Sequence, residues 1–123
     1  MADYVPLFLP GQAYTATASA AITGGKAVKV SGDGTVATNA AASTYIIGVA
    51  AFDAAASGDS VTVYARGTIH RFTASGAITA GDLVEGAASG NVATHTVGTN
   101  DARVFGIALT TAADTASVTV MEV

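Results

Sequence analysis

Ala77-Ile78-Thr79-Ala80-Gly81-Asp82-Leu83-Val84 decides the reading, because Ala21-Ile22-Thr23-Gly24-Gly25-Lys26-Ala27-Val28 is the same phrase 56 residues earlier. The offset persists, since Gly34-Thr35-Val36-Ala37-Thr38 is answered by Gly90-Asn91-Val92-Ala93-Thr94. Across Ala20–Thr38 and Gly76–Thr94, 9 of 19 positions are identical, so the match is a repeat and not a chance turn. Further on the spacing drifts: Gly48-Val49-Ala50 maps to Gly106-Ile107-Ala108 at 58, and Val61-Thr62-Val63 to Val118-Thr119-Val120 at 57. The chain is two tandem copies of one unit, at about 20–75 and 76–123, in a single β domain spanning 20–123.

Each copy reads as short strands separated by turns. Thr23–Lys26 and Thr79–Asp82 are tight turns in which Gly supplies the positive φ. Ser31-Gly32-Asp33-Gly34 signals a hairpin between Ala27–Val30 and Thr35–Thr38, and Ala88-Ser89-Gly90-Asn91 repeats it. Ser60–Ala65 alternates Val61 and Val63 with Thr62 and Tyr64, the period of a half-buried strand. Ala54–Asp59 is too short for a stable helix and reads as a loop. The expectation is an all-β fold, a compact sandwich or barrel of short antiparallel strands.

Met1–Ser19 has no counterpart in the second copy and holds both prolines, Pro6 and Pro10. Proline fixes φ and removes a donor, which suits an extended N-terminal arm better than a central strand. Tyr4, Val5, Leu7, Phe8 and Leu9 form the densest bulky apolar group in the chain. They either pack as an edge on their own domain or reach a neighbouring subunit or partner.

The 123 residues are half hydrophobic, yet they include only four Phe and no Trp. Ala and Val bury little area apiece, so the core is thin and help from oligomerisation or docking is expected. There is no Cys, which excludes disulfides and thiolate metal sites. The positive mean hydropathy reflects Ala and Val and not a membrane span, since no apolar run approaches membrane length. The first residues lack a basic signal-peptide region, so a protein that stays where it is made is expected. Net charge is −4 with five Lys and Arg, too few to neutralise a phosphate backbone, which argues against nucleic acid.

Candidate chemistry is sparse. Asp82 and Glu85 occupy the positions of Lys26 and Lys29 one repeat earlier, so equivalent sites carry opposite charge. They are either solvated charges or the two sides of a head-to-tail contact in a ring, Lys26 and Lys29 of one subunit facing Asp82 and Glu85 of the next. As a catalytic dyad they lack a partner. His70 and His95 stand apart from any metal-ligand spacing and read as polar strand positions. No nucleophile elbow, calcium loop or phosphate loop is present. The residues thus point to no catalytic, metal or cofactor site.

In order, the motifs are A-I-x-x-G-x-x-V, G-x-V, I-G-V-A and Gly58-Asp59-Ser60-Val61-Thr62-Val63. They then recur as A-I-T-A-G-D-L-V, G-N-V, F-G-I-A-L and S-V-T-V. From Ala20 to Val123 this resembles the small capsid decoration proteins of tailed bacteriophages, also called capsid cement or head-stabilising proteins. The resemblance implies an all-β homotrimer, made in the host bacterial cytoplasm and placed on the outside of the icosahedral head. There it would bind the major capsid protein, with no enzymatic activity and no cofactor. Two other readings are a carbohydrate-binding or adhesive β-module on a virion or cell surface, and a small enzyme or ligand-binding barrel. The first wants exposed aromatics that this chain largely lacks, and the second a convergent polar cluster.

Overall fold

The computed structural model describes residues 13–44 and 46–123, and within them the fold is all-β with two short 3-10 turns. Strands β1 (Ala13–Ala18), β2 (Ala27–Gly32), β3 (Thr35–Thr38), β4 (Ile46–Ala50) and β5 (Ser60–Ala65) close into a barrel in the order β1-β3-β2-β4-β5. Strands β6 (Ile69–Thr73), β7 (Leu83–Gly86), β8 (Val92–Thr94), β9 (Val104–Ala108) and β10 (Ser117–Glu122) form a second sheet in the order β6-β10-β9-β7-β8. Strand for strand, the second order is the first with its ring opened between β6 and β8.

The expected antiparallel pairing holds with one exception. The strands are not all antiparallel, because β1 and β3 pair in parallel, Thr17 with Thr35 and Ala18 with Val36. Five strands in a ring cannot alternate direction all the way round, so closure forces one parallel pair. The second copy keeps a trace of the same closure: the parallel bridge Ala74↔Val92 lies 56 residues beyond Ala18↔Val36.

Strand β1 lies N-terminal to the repeated phrase. Ala13–Ala18 falls within the stretch read as an arm without a counterpart, yet it pairs along its length with β5, from Ala13↔Tyr64 to Thr17↔Ser60, and β6, 56 residues on, is its counterpart. Ala16 and Ala18 point inward and Thr15 and Thr17 outward, an alternation masked by the small size of the buried residues. Residues Tyr4, Val5, Leu7, Phe8 and Leu9 lie outside the described residues.

The repeating turn holds both copies at the same place. Gly25 and Gly81 have φ of 82° and 93°, where a side chain would be strained. The drift in spacing is confined to two loops. The β3–β4 connection spans 39–45 and the β8–β9 connection 95–103, an insertion of two residues; the next loop, 51–59 against 109–116, is shorter by one.

Two apolar clusters fill the molecule. One lies inside the barrel, around Val28, Val36, Val61 and Val63. The other fills the second sheet around Phe72, Phe105, Val118 and Val120, and it takes in Ala27, Ile46 and Val49 from the barrel. The two copies therefore share a core. Phe72 and Phe105 meet edge to face at 5.8 Å, in a core otherwise built from Ala, Val and Ile.

Candidate functional site

Four charged residues singled out by the repeat lie on β2, on β7 and in the turns before them. Lys26 Nζ donates to Asn91 Oδ1 at 3.0 Å, tying the start of the barrel to the second sheet. Asp82 Oδ2 accepts from Thr79 N at 2.9 Å and from Thr94 Oγ1 at 3.1 Å, closing its own turn onto β8. Glu85 Oε1 lies 3.2 Å from His95 Nδ1, and its other oxygen 4.0 Å from Arg103 Nη1. Lys29, half-buried in the middle of β2, has no charged partner among the described residues. The structure thus spreads these residues through the chain, and no ion pair joins either lysine to either carboxylate among the described residues.

The junction between the copies carries more polar contacts than the sequence suggested. Asn39, 1% exposed, donates from Nδ2 to Ala87 O at 3.1 Å, and its own carbonyl accepts from Gly90 N at 3.0 Å. Ala42 N donates to Gly86 O at 3.1 Å. Gly86 leaves no room for a Cβ, which would fall on the Asn39 amide. Residues 39–42 of the barrel are thereby docked on the β7–β8 hairpin.

His95 stands 56 residues after Asn39 and is likewise buried, at 4% exposure. Its ring lies between two carboxylates, with Asp101 Oδ1 2.8 Å from Nε2 on one side and Glu85 on the other. Both nitrogens then act as donors, so the charged ring is favoured. The Asp101 hydrogen bond raises its pKa most, partial desolvation opposes, and Glu85 adds to the rise. In return His95, helped by the Gly98 amide, lowers the pKa of Asp101. The inserted loop 95–103 is the signal that could have revealed this clamp, because the first copy has no room for it. We expect His95→Gln to leave the fold intact but to speed amide exchange at Gly98 about tenfold, as the loop opens locally. Unchanged exchange at Gly98 would show that the loop is held without the imidazole.

His70 is a separate case. Its Nε2 lies 2.6 Å from Thr68 Oγ1, its ring stacks on Tyr64 at 5.8 Å, and burial lowers its pKa. The sequence reading missed Glu122 altogether. It is 1% exposed at the end of β10, and neither carboxylate oxygen has a hydrogen-bond partner. Burial pushes its pKa up to about 8, with Arg66 pulling the other way. Arg66 bridges the same junction, its Nη2 3.4 Å from Val104 O and its amide 3.1 Å from Ile47 O.

These groups do structural work. The carboxylates around His95 lie on opposite sides of the ring and do not converge on a point. Among the described residues no set of three or more His, Asp or Glu is placed to hold a metal ion. No helix among the described residues is long and apolar enough to cross a membrane.

Residues 9–123 match the model of the phage cement protein family. No curated protein matches the chain. Among solved structures, the chain is similar to the N base of the head fiber gp8.5 of bacteriophage phi29, with a TM-score of 0.66 and 22% identity. That alignment covers 91% of this chain and 93% of the other, so the whole fold is shared. The chain belongs to the phage cement protein family, and is a phage structural protein associated with the capsid.

Proposed function

We propose that this protein decorates the outside of a tailed-phage icosahedral capsid as a homotrimer, binding the major capsid protein and stabilising the assembled shell. The observation that carries the reading is the family match across residues 9–123, nearly the whole chain. The likeness to a phage head-fiber base agrees in fold. The polar interior supports a rigid module: Asn39, His95 and Lys26 spend their hydrogen bonds inside the chain.

The physics of the role is linkage. A ligand that binds the closed shell and not its separated subunits stabilises that shell, by about 2.7 kcal/mol at a concentration a hundredfold over its Kd. A trimer engaging three capsid subunits at once gains about 10²–10⁴ in avidity, so each contact can be modest. The apolar group Tyr4, Val5, Leu7, Phe8 and Leu9 supplies contact surface. Lys29, without a charged partner among the described residues, faces Asp82 and Glu85 of the next subunit, and Lys26 joins it by giving up its bond to Asn91.

Two measurements test this. Purified protein should sediment as a trimer and pellet with empty heads of its own phage; protein that stays in the supernatant at micromolar concentration would end the capsid reading. The double change Lys26→Glu with Lys29→Glu should weaken the trimer about tenfold at low salt, and an unaltered assembly would exclude the charge pairing.

A further inference from the structure

The β2–β3 hairpin is exposed where its twin is buried. Gly86, Ala87 and Gly90 of the second copy are covered by the barrel, while the equivalent Val30, Ser31 and Gly34 are exposed. Beside that hairpin, β1 and β3 pair only at Thr17 and Ala18 among the described residues and then diverge. The gap is a groove of about 160 Å³, walled by Tyr14 and Ala16 on one side and by Val30, Thr35 and Val36 on the other. At its closed end, where the strands still pair, Thr17 N donates to Gly34 O at 3.3 Å and Ser19 N to Val36 O at 2.9 Å. The main chain alternates along a strand, so the Thr15 amide and carbonyl face the same groove. A strand edge beside exposed apolar surface is a site for an added extended segment.

We infer that this groove receives the apolar N-terminal segment Tyr4–Leu9 of a second copy of the chain, so that neighbouring subunits are joined by strand addition. The inference rests on the self-assembly part of the proposed function and not on capsid binding. The segment has the right chemistry, with Tyr4, Val5, Leu7, Phe8 and Leu9 to meet Val30, and a cavity that holds one such side chain. It also has the reach, since the twelve residues before Ala13 span up to about 40 Å when extended. Its attachment point argues for a neighbour's groove over its own. A return into its own groove must reverse direction at Pro10-Gly11, and that pair favours a type II turn, whose twist does not suit a tight hairpin.

The absence of Cys makes the test clean. Copies carrying Leu7→Cys are mixed with copies carrying Val30→Cys, allowed to re-equilibrate and oxidised. Disulfide-linked pairs of the two variants are expected on a non-reducing gel, with none when Ser57→Cys replaces Val30→Cys. Deleting residues 2–9 should convert the oligomer to a folded monomer with an unchanged far-UV spectrum. A double Leu7→Cys, Val30→Cys chain that closes only within itself would overturn the inference in favour of the chain's own arm. A trimer that survives the deletion would overturn it and leave the trimer standing. A wild-type protein that is monomeric would overturn both.

Discussion

Replacing Glu122 by Gln is expected to flatten most of the pH dependence of stability and to raise stability at alkaline pH. The carboxyl ends the inward row Val118, Val120, Glu122, and neither of its oxygens is hydrogen-bonded. Arg66 is the charge that acts on it; β9, the strand beside β10, brings no titratable side chain there, and β6 brings His70 and Arg71. Burial outweighs Arg66 and lifts the pKa from 4.5 to about 8. The folded protein therefore keeps a proton that the unfolded chain releases above about 4.5. Stability falls as pH rises from there to about 8, and is level beyond. Each tenfold change in proton affinity is worth about 1.4 kcal/mol, so the whole excursion costs up to about 5 kcal/mol. Urea unfolding at about pH 5 and about pH 9 reads it directly, as midpoints without a change in slope. Glu122→Gln should bring the two midpoints close together, and Glu122→Leu should raise both, since it removes the orphaned oxygens as well. A residual fall with pH in the Gln variant belongs to His95, whose raised pKa adds stability below about 6.5 that is lost as the ring deprotonates. If Glu122→Gln keeps the full wild-type fall, the carboxyl is solvated and this account of the junction is wrong.

Glu122 also shows where sequence reading stops. The strand was legible, and so was its alternation, which places residue 122 on the same face as Val118 and Val120. Composition rules argue against a buried carboxyl, and one is tolerated here because burial keeps it protonated and uncharged. The duplication, the all-β class and the repeating glycine turns were legible because each depends on neighbours in sequence. The parallel β1–β3 pair was not, because it follows from closing a ring of five strands, a property of the whole and of no segment. His95 was placed on a strand with no partner named, since Glu85 and Asp101 reach it from a strand and from an inserted loop. The charge inversion between Lys26, Lys29 and Asp82, Glu85 was visible, but not that Lys26, Asp82 and Glu85 would find partners inside the chain.

Making the second copy more like the first at one position is expected to damage the protein. Val30 and Gly86 are equivalent, 56 residues apart, so Gly86→Val looks like a harmless repeat swap. Val30 is 45% exposed, whereas Gly86 is buried against Asn39 with no space for a Cβ. Valine there must displace the Asn39 side chain, losing its bond to Ala87 O and disturbing the Gly90 and Ala42 bonds beside it. Overpacking of a filled junction and loss of a buried hydrogen bond together cost about 2–4 kcal/mol. The reverse change, Val30→Gly, should cost about 1 kcal/mol or less, the entropy of a glycine in an exposed strand. Combining Gly86→Val with Asn39→Ala gives the decisive measurement, because removing the obstructing amide should recover part of the loss and leave a coupling above about 1 kcal/mol. Simple additivity of the two changes would mean that Gly86 and Asn39 do not press on each other, and that the copies are held together by the shared apolar core alone.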